Sequence, residues 1–183
     1  MTVDGPQRTS RSTSMRSAGI WFIAGGALAL ARAAVELADP VYWNPSSVLD
    51  YAAALLTTMS WVVSGVAFVL WGRTTPIRRG AVFLLIAGIS TAISGIGNLL
   101  EDVFNVEVGE LLFTYGGMVG AVAVLVAAVL VLTVRDPLRW TALLLFGFVA
   151  GGIFPDNGGR LLTGASLVGL GTWLVLYQPD TTQ

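Results

Sequence analysis

Arg32 and Glu36 stand in a run that is otherwise apolar, four residues apart and so on one helical face. A second polar row, Thr91, Ser94, Asn98 and Glu101, is spaced three, four and three. It shares one face of another helix, with Asp102 beside it. Glu110, Thr114 and Tyr115 open a third apolar run, and Thr57, Ser60 and Ser64 mark a face of a fourth. A guanidinium at mid-membrane costs about 2.5–3.5 kcal/mol, and less toward the interface. Arg32 is therefore expected to turn toward oxygen atoms of its neighbours. The candidate binding set is Arg32, Glu36, Ser94, Asn98, Glu101, Asp102, Glu110 and Tyr115. It predicts a polar, carboxylate-lined cavity between the first, third and fourth spans, open to the non-cytoplasmic side, with Arg32 at its floor.

Such a cavity suits binding or transport of a small polar solute, cationic because carboxylates dominate its wall. Two other uses of these residues compete with that one. Arg32 can snorkel while the hydroxyls bond back to their own helices, leaving a non-catalytic accessory or scaffold subunit of a membrane complex. A carboxylate pair can also serve as acid and base in an intramembrane enzyme that modifies lipids. No GxSxG, GxGD or DxxxD motif supports that third reading. Glu101 and Asp102 point about 100° apart on a helix. No third ligand follows at a fixed spacing, so no metal centre and no catalytic residue is assigned.

Absent residue types narrow the chemistry further. The chain has no Cys, no His and no Lys, and its ten cations are all Arg. Disulfides, thiolate metal sites, His-ligated haem, His general bases and Schiff-base cofactors are thereby excluded, and no cofactor is expected. The 183 residues are 55% hydrophobic and 11% charged, where an ordinary soluble domain carries about 25% charge. A soluble domain, a disordered chain and a nucleic-acid binder do not fit that balance. The bilayer itself is the first expected partner.

Six stretches approach the roughly 20 apolar residues that cross a bilayer. They lie at Ala18–Leu37, Tyr51–Trp71, Gly80–Leu100, Glu110–Val134, Leu138–Phe154 and Arg160–Tyr177. The fifth is short and is ended by Pro155. Asn44-Pro45, Thr75-Pro76 and Asp136-Pro137 pair an N-cap residue with Pro at the first helical position. Ser47 with Asp50 is a competing start for the second helix. The expected fold is an all-α, six-span transmembrane bundle over residues 18–178, with a disordered tail at 1–17 and a second tail at 179–183.

Orientation follows the arginines. Arg8, Arg11, Arg16, Arg73, Arg78, Arg79, Arg135 and Arg139, eight of the ten, fall on one side. By the positive-inside rule both termini are cytoplasmic, in a plasma or inner membrane. Ala29-Leu30-Ala31 after an Arg-rich start also resembles a signal-peptide cleavage site, but the apolar run continues to Leu37. Small-residue faces at Gly116/Gly120, Gly147/Gly151 and Ala165/Gly169, with Gly25, Gly26, Gly88 and Gly95, are expected to bring helices together. The same faces are a candidate seam for a membrane-protein partner or a second copy.

Overall fold

A backbone placed in hydrocarbon must satisfy its own amides, and a helix does so within one segment. Every long apolar run of this chain is helical. The computed structural model describes residues 5–38, 47–75, 77–134, 137–155 and 158–177, with side chains from residue 15 onward. Six helices follow in order: α1 (Gly5–Ala38), α2 (Val48–Thr74), α3 (Arg78–Asp102), α4 (Val108–Leu132), α5 (Thr141–Ile153) and α6 (Gly159–Leu176). A 3-10 turn over Pro137–Trp140 leads into α5. No strand occurs among the described residues. Five segments are long and apolar enough to cross a membrane: Met15–Ala38, Val48–Thr74, Arg78–Asp102, Val108–Leu132 and Gly159–Leu176. The apolar segment Pro137–Ile153 is shorter. This is the architecture of a multi-pass membrane protein.

Local sequence explains where the helices begin and end. α1 begins at Gly5, so helix covers residues 5–17, where a disordered tail was expected. Pro6 in its first turn forfeits no helical hydrogen bond, and no Gly or Pro interrupts the residues that follow it up to Gly19. The helix runs unbroken through Ala29-Leu30-Ala31. α2 starts from the Ser47–Asp50 capping box. The Asp50 amide donates to Ser47 Oγ at 3.1 Å, and the Ser47 amide donates to Asp50 Oδ2 at 2.9 Å.

The rival start at Asn44-Pro45 lies outside the described residues, as do Asp39, Tyr42, Trp43, Pro76, Arg135, Asp136 and Asp156. Thr75, expected to cap α3, instead ends α2, its amide donating to Trp71 O at 2.8 Å. The cause is the proline that follows, which pushes Thr75 into extended backbone at ψ 138°. At Phe154, before Pro155, the backbone likewise leaves the helical region, with ψ 58°.

Each helix packs on the next, and α6 packs back on α1, so the six form a closed, alternating ring. Lipid tails are as apolar as Leu, so close backbone approach is what joins such helices. A Cβ added at Gly19 would lie 2.6 Å from Gly171 O, and one at Gly26 would lie 2.7 Å from Gly164 O. Two glycines seven apart on α1 thus meet two glycines seven apart on α6 in reverse order. A Cβ at Gly65 would come within 2.6 Å of Gly88 O at the α2–α3 seam. Gly116 meets Ser90 O on α3 in the same way, at 2.9 Å. The Ala165/Gly169 face does not form the α1 seam: Ala165 is exposed, and Gly164 and Gly171 take that role.

One half of the ring is filled. Phe22, Phe68 and Trp71 are fully buried there with Leu84, Val124, Val131, Leu145 and Leu174. Phe22 meets Phe68 edge-on at 4.8 Å between ring centroids, and Phe68 meets Phe148 at 5.6 Å.

The seams predict a sharp contrast between glycines. Gly65→Ala forces the α2 and α3 backbones apart and should lower stability by about 1–3 kcal/mol, the usual range for overpacking. Gly152→Ala on α5 meets nothing within 4 Å and should be neutral or stabilising by up to about 1 kcal/mol through helix propensity. Denaturant unfolding of the purified variants in detergent measures both, and equal effects would contradict the seam assignment.

Candidate functional site

The unfilled half of the ring holds a cavity of about 530 Å³ walled by all six helices. That volume lies within the range of about 300–1,000 Å³ typical of small-molecule sites. The wall extends along α3 from Asp102 to Thr91, a depth of about 16 Å at 1.5 Å per residue. Phe148 closes the deep end, backed by Phe68. The middle is apolar, with Ala29, Trp61, Phe113, Met118 and Val149. Arg32, Asp50, Glu101, Asp102 and Arg160 carry the charge, gathered toward the other end.

Arg32 reaches the wall because it follows Ala29 on the inner face of α1. Its Nε and Nη2 donate to Glu36 Oε1 at 3.1 and 3.0 Å, and its Nη1 donates to Thr57 Oγ1 of α2. Thr57 Oγ1 in turn donates to Ala53 O of its own helix at 2.8 Å. Arg160, in the first turn of α6, pairs with the same Glu36 oxygen. One carboxylate therefore answers two guanidiniums, and the network ties α1 to α2 and α6. Asp102 lies within electrostatic reach of Arg32, and Glu101 within reach of Asp102 and Glu110. Charge changes sign across the mouth, from arginine on the α1–α6 side to carboxylate on the α3 side.

The eight residues singled out in sequence fall into four groups. Arg32, Asn98, Glu101 and Asp102 line the cavity. Glu36 stands behind Arg32 as its counter-ion. Ser94 serves a seam instead, donating to Phe113 O of α4 at 2.7 Å. Asn98 combines both duties: its Nδ2 donates to Ala54 O and Thr58 Oγ1 of α2, each at 3.2 Å. Glu110 is exposed, and Tyr115 is 64% exposed and turned away from the cavity. Tyr115 follows Thr114 by one residue, about 100° around the helix, and Thr114 takes the lining position.

The expectations for the cavity itself need two corrections. All six helices wall it, and not the first, third and fourth alone. Its floor is Phe148, with Arg32 nearer the mouth. Asp50, expected beside Ser47 at the start of the second helix, and Arg160, at the start of the sixth span, were both outside the candidate set. Asp50 is 4% exposed and both caps α2 and lines the cavity. The capping box was a legible signal for Asp50. Arg160 offered none, because its place depends on α6 returning to α1.

No group of three or more metal-ligating side chains occurs among the described residues. Comparison with protein-family models, curated proteins and solved structures gives no match for this chain.

The shared carboxylate generates a stability prediction. Removing one partner of a fully buried ion pair costs about 3–5 kcal/mol. Arg32, Glu36 and Arg160 side chains are 18%, 19% and 28% exposed, so Glu36→Gln should cost about 2–3 kcal/mol, scaled down from that range for partial solvation. The triple variant Arg32→Met, Glu36→Leu, Arg160→Met should recover most of the loss, since apolar residues of similar volume replace buried charge well. Unfolding midpoints in detergent decide the matter, and a silent Glu36→Gln would contradict the network.

Proposed function

We propose that this is a six-span membrane protein that binds, and by extension transports, a small solute with a cationic group. What supports the reading is one observation: a ring of six helices encloses a ligand-sized cavity whose charged groups are gathered toward one end. Two guanidiniums face four carboxylates once Glu36 is counted, so the mouth favours a cation. Glu36 already neutralises part of the arginine side. Glu101 and Asp102 then receive the cationic group, while Phe113, Met118 and Phe148 contact the apolar remainder. Intramembrane ionisable residues that face a cavity mark substrate paths. Arg32 organises the mouth and does not ligate the solute.

Binding is tested with tetraethylammonium on protein reconstituted in nanodiscs. Saturable binding is expected, and the double variant Glu101→Gln, Asp102→Asn should weaken it at least tenfold, about 1.4 kcal/mol. Absence of saturable binding to the parent, or a double variant that binds like the parent, would remove the proposal.

The topology goes with this reading: both termini cytoplasmic, in a plasma or inner membrane, with the cavity mouth outward. The absence of native Cys makes it directly measurable. A Val106→Cys variant, between α3 and α4, should react with a membrane-impermeant maleimide in intact cells. A Thr181→Cys variant should react only after permeabilisation. The reverse pattern would invert the assignment.

A further inference from the structure

The cavity wall is incomplete on one side. α5 has 13 residues, about 20 Å of helix, against 25 in α4, about 38 Å. The 3-10 turn before α5 adds about 8 Å, so the segment still falls short of its neighbour. One stripe of α4 records the consequence. Thr114, Met118, Ala121 and Leu125 follow at helical spacing on a single face. Ala121 and Leu125 are partly buried against the filled core. Thr114 and Met118 on the same stripe are exposed, Met118 at 62%, and both line the cavity.

The facing residues of α5 behave alike. Gly152 and Ile153 line the cavity and are exposed, and nothing lies within 4 Å of a Cβ built on Gly152. The cavity thus reaches the outer surface of the ring between α4 and α5. Met118 lies about 15 Å along α4 from Val108, inside the segment apolar enough to cross a membrane. At that depth the surrounding medium is acyl chain, not water.

We infer that the occupant is a membrane-dissolved amphiphile, a cationic head on a single apolar chain, which enters sideways between α4 and α5. The inference rests on the cation-binding reading of the same cavity and adds the class and route of its ligand. The head lodges against Glu101 and Asp102. The chain lies along Phe113, Met118 and Phe148 and leaves through the opening at Gly152. A solute drawn from water would need no such side opening, because the charged mouth already serves it.

The test compares dodecyltrimethylammonium with tetraethylammonium in nanodiscs, with partition into protein-free nanodiscs subtracted. The long-chain probe should bind at least tenfold more tightly than the short one. Gly152→Trp and Ile153→Trp, which fill the opening, should weaken the long-chain probe at least tenfold and leave tetraethylammonium within twofold. Gly152→Ala should leave both unchanged. Equal affinity of the two probes for the parent overturns the inference, as do tryptophan variants that bind the long chain normally or that lose both probes. In the first two cases cation binding itself survives. A parent that binds neither probe removes the binding proposal, and the inference with it.

Discussion

Arg32 and Arg160 enter a medium in which an unpaired guanidinium is costly, and a single carboxylate, Glu36, answers both. The three side chains come from the first and last helices, and Thr57 joins them from the second. Meeting the electrostatic demand therefore requires α6 to lie beside α1. Once it does, the six helices form a ring, and a ring of this size has a centre that must be filled or left hollow. Large aromatic and aliphatic side chains fill one half. The other half stays open, with the charged groups gathered toward one end.

Glycine is the second determinant, for a reason peculiar to lipid. Burying Leu between helices gains little when the alternative is an acyl chain, so contact between backbones carries more of the association. The paired glycines of α1 and α6 and the mutual approach of Gly65 and Gly88 set the distance and direction of those seams. No glycine among the described residues meets across the α4–α5 seam.

Legibility in the sequence varied with the range of the interaction. Arg32 and Glu36 were readable as a pair because four residues make one helical turn. The span-three stripe was readable by the same arithmetic, but its division of labour was not. Ser94 went to the α4 seam and Asn98 to α2, while Asp102, beside the stripe, reached the cavity. Tyr115 was placed by its position near the start of an apolar run, which fixes depth alone. Its rotation about the α4 axis relative to α3 is what carries it outward, and depth contains no information on rotation.

Composition, apolar run length and missing residue types determined by themselves that this chain is an all-helical membrane bundle without thiol, imidazole or amine chemistry, because those properties are additive along the chain. Local caps and breaks were equally internal to the sequence, as at Ser47–Asp50 and Thr75, because they depend on neighbours within a turn. Tertiary structure alone decided that Arg160 shares Glu36 with Arg32 and that Asp50 lines a cavity. Each of these depends on the rotation of one helix against another more than 25 residues away. In a bilayer that rotation is set by the fit of small surfaces, which no periodicity in the sequence expresses.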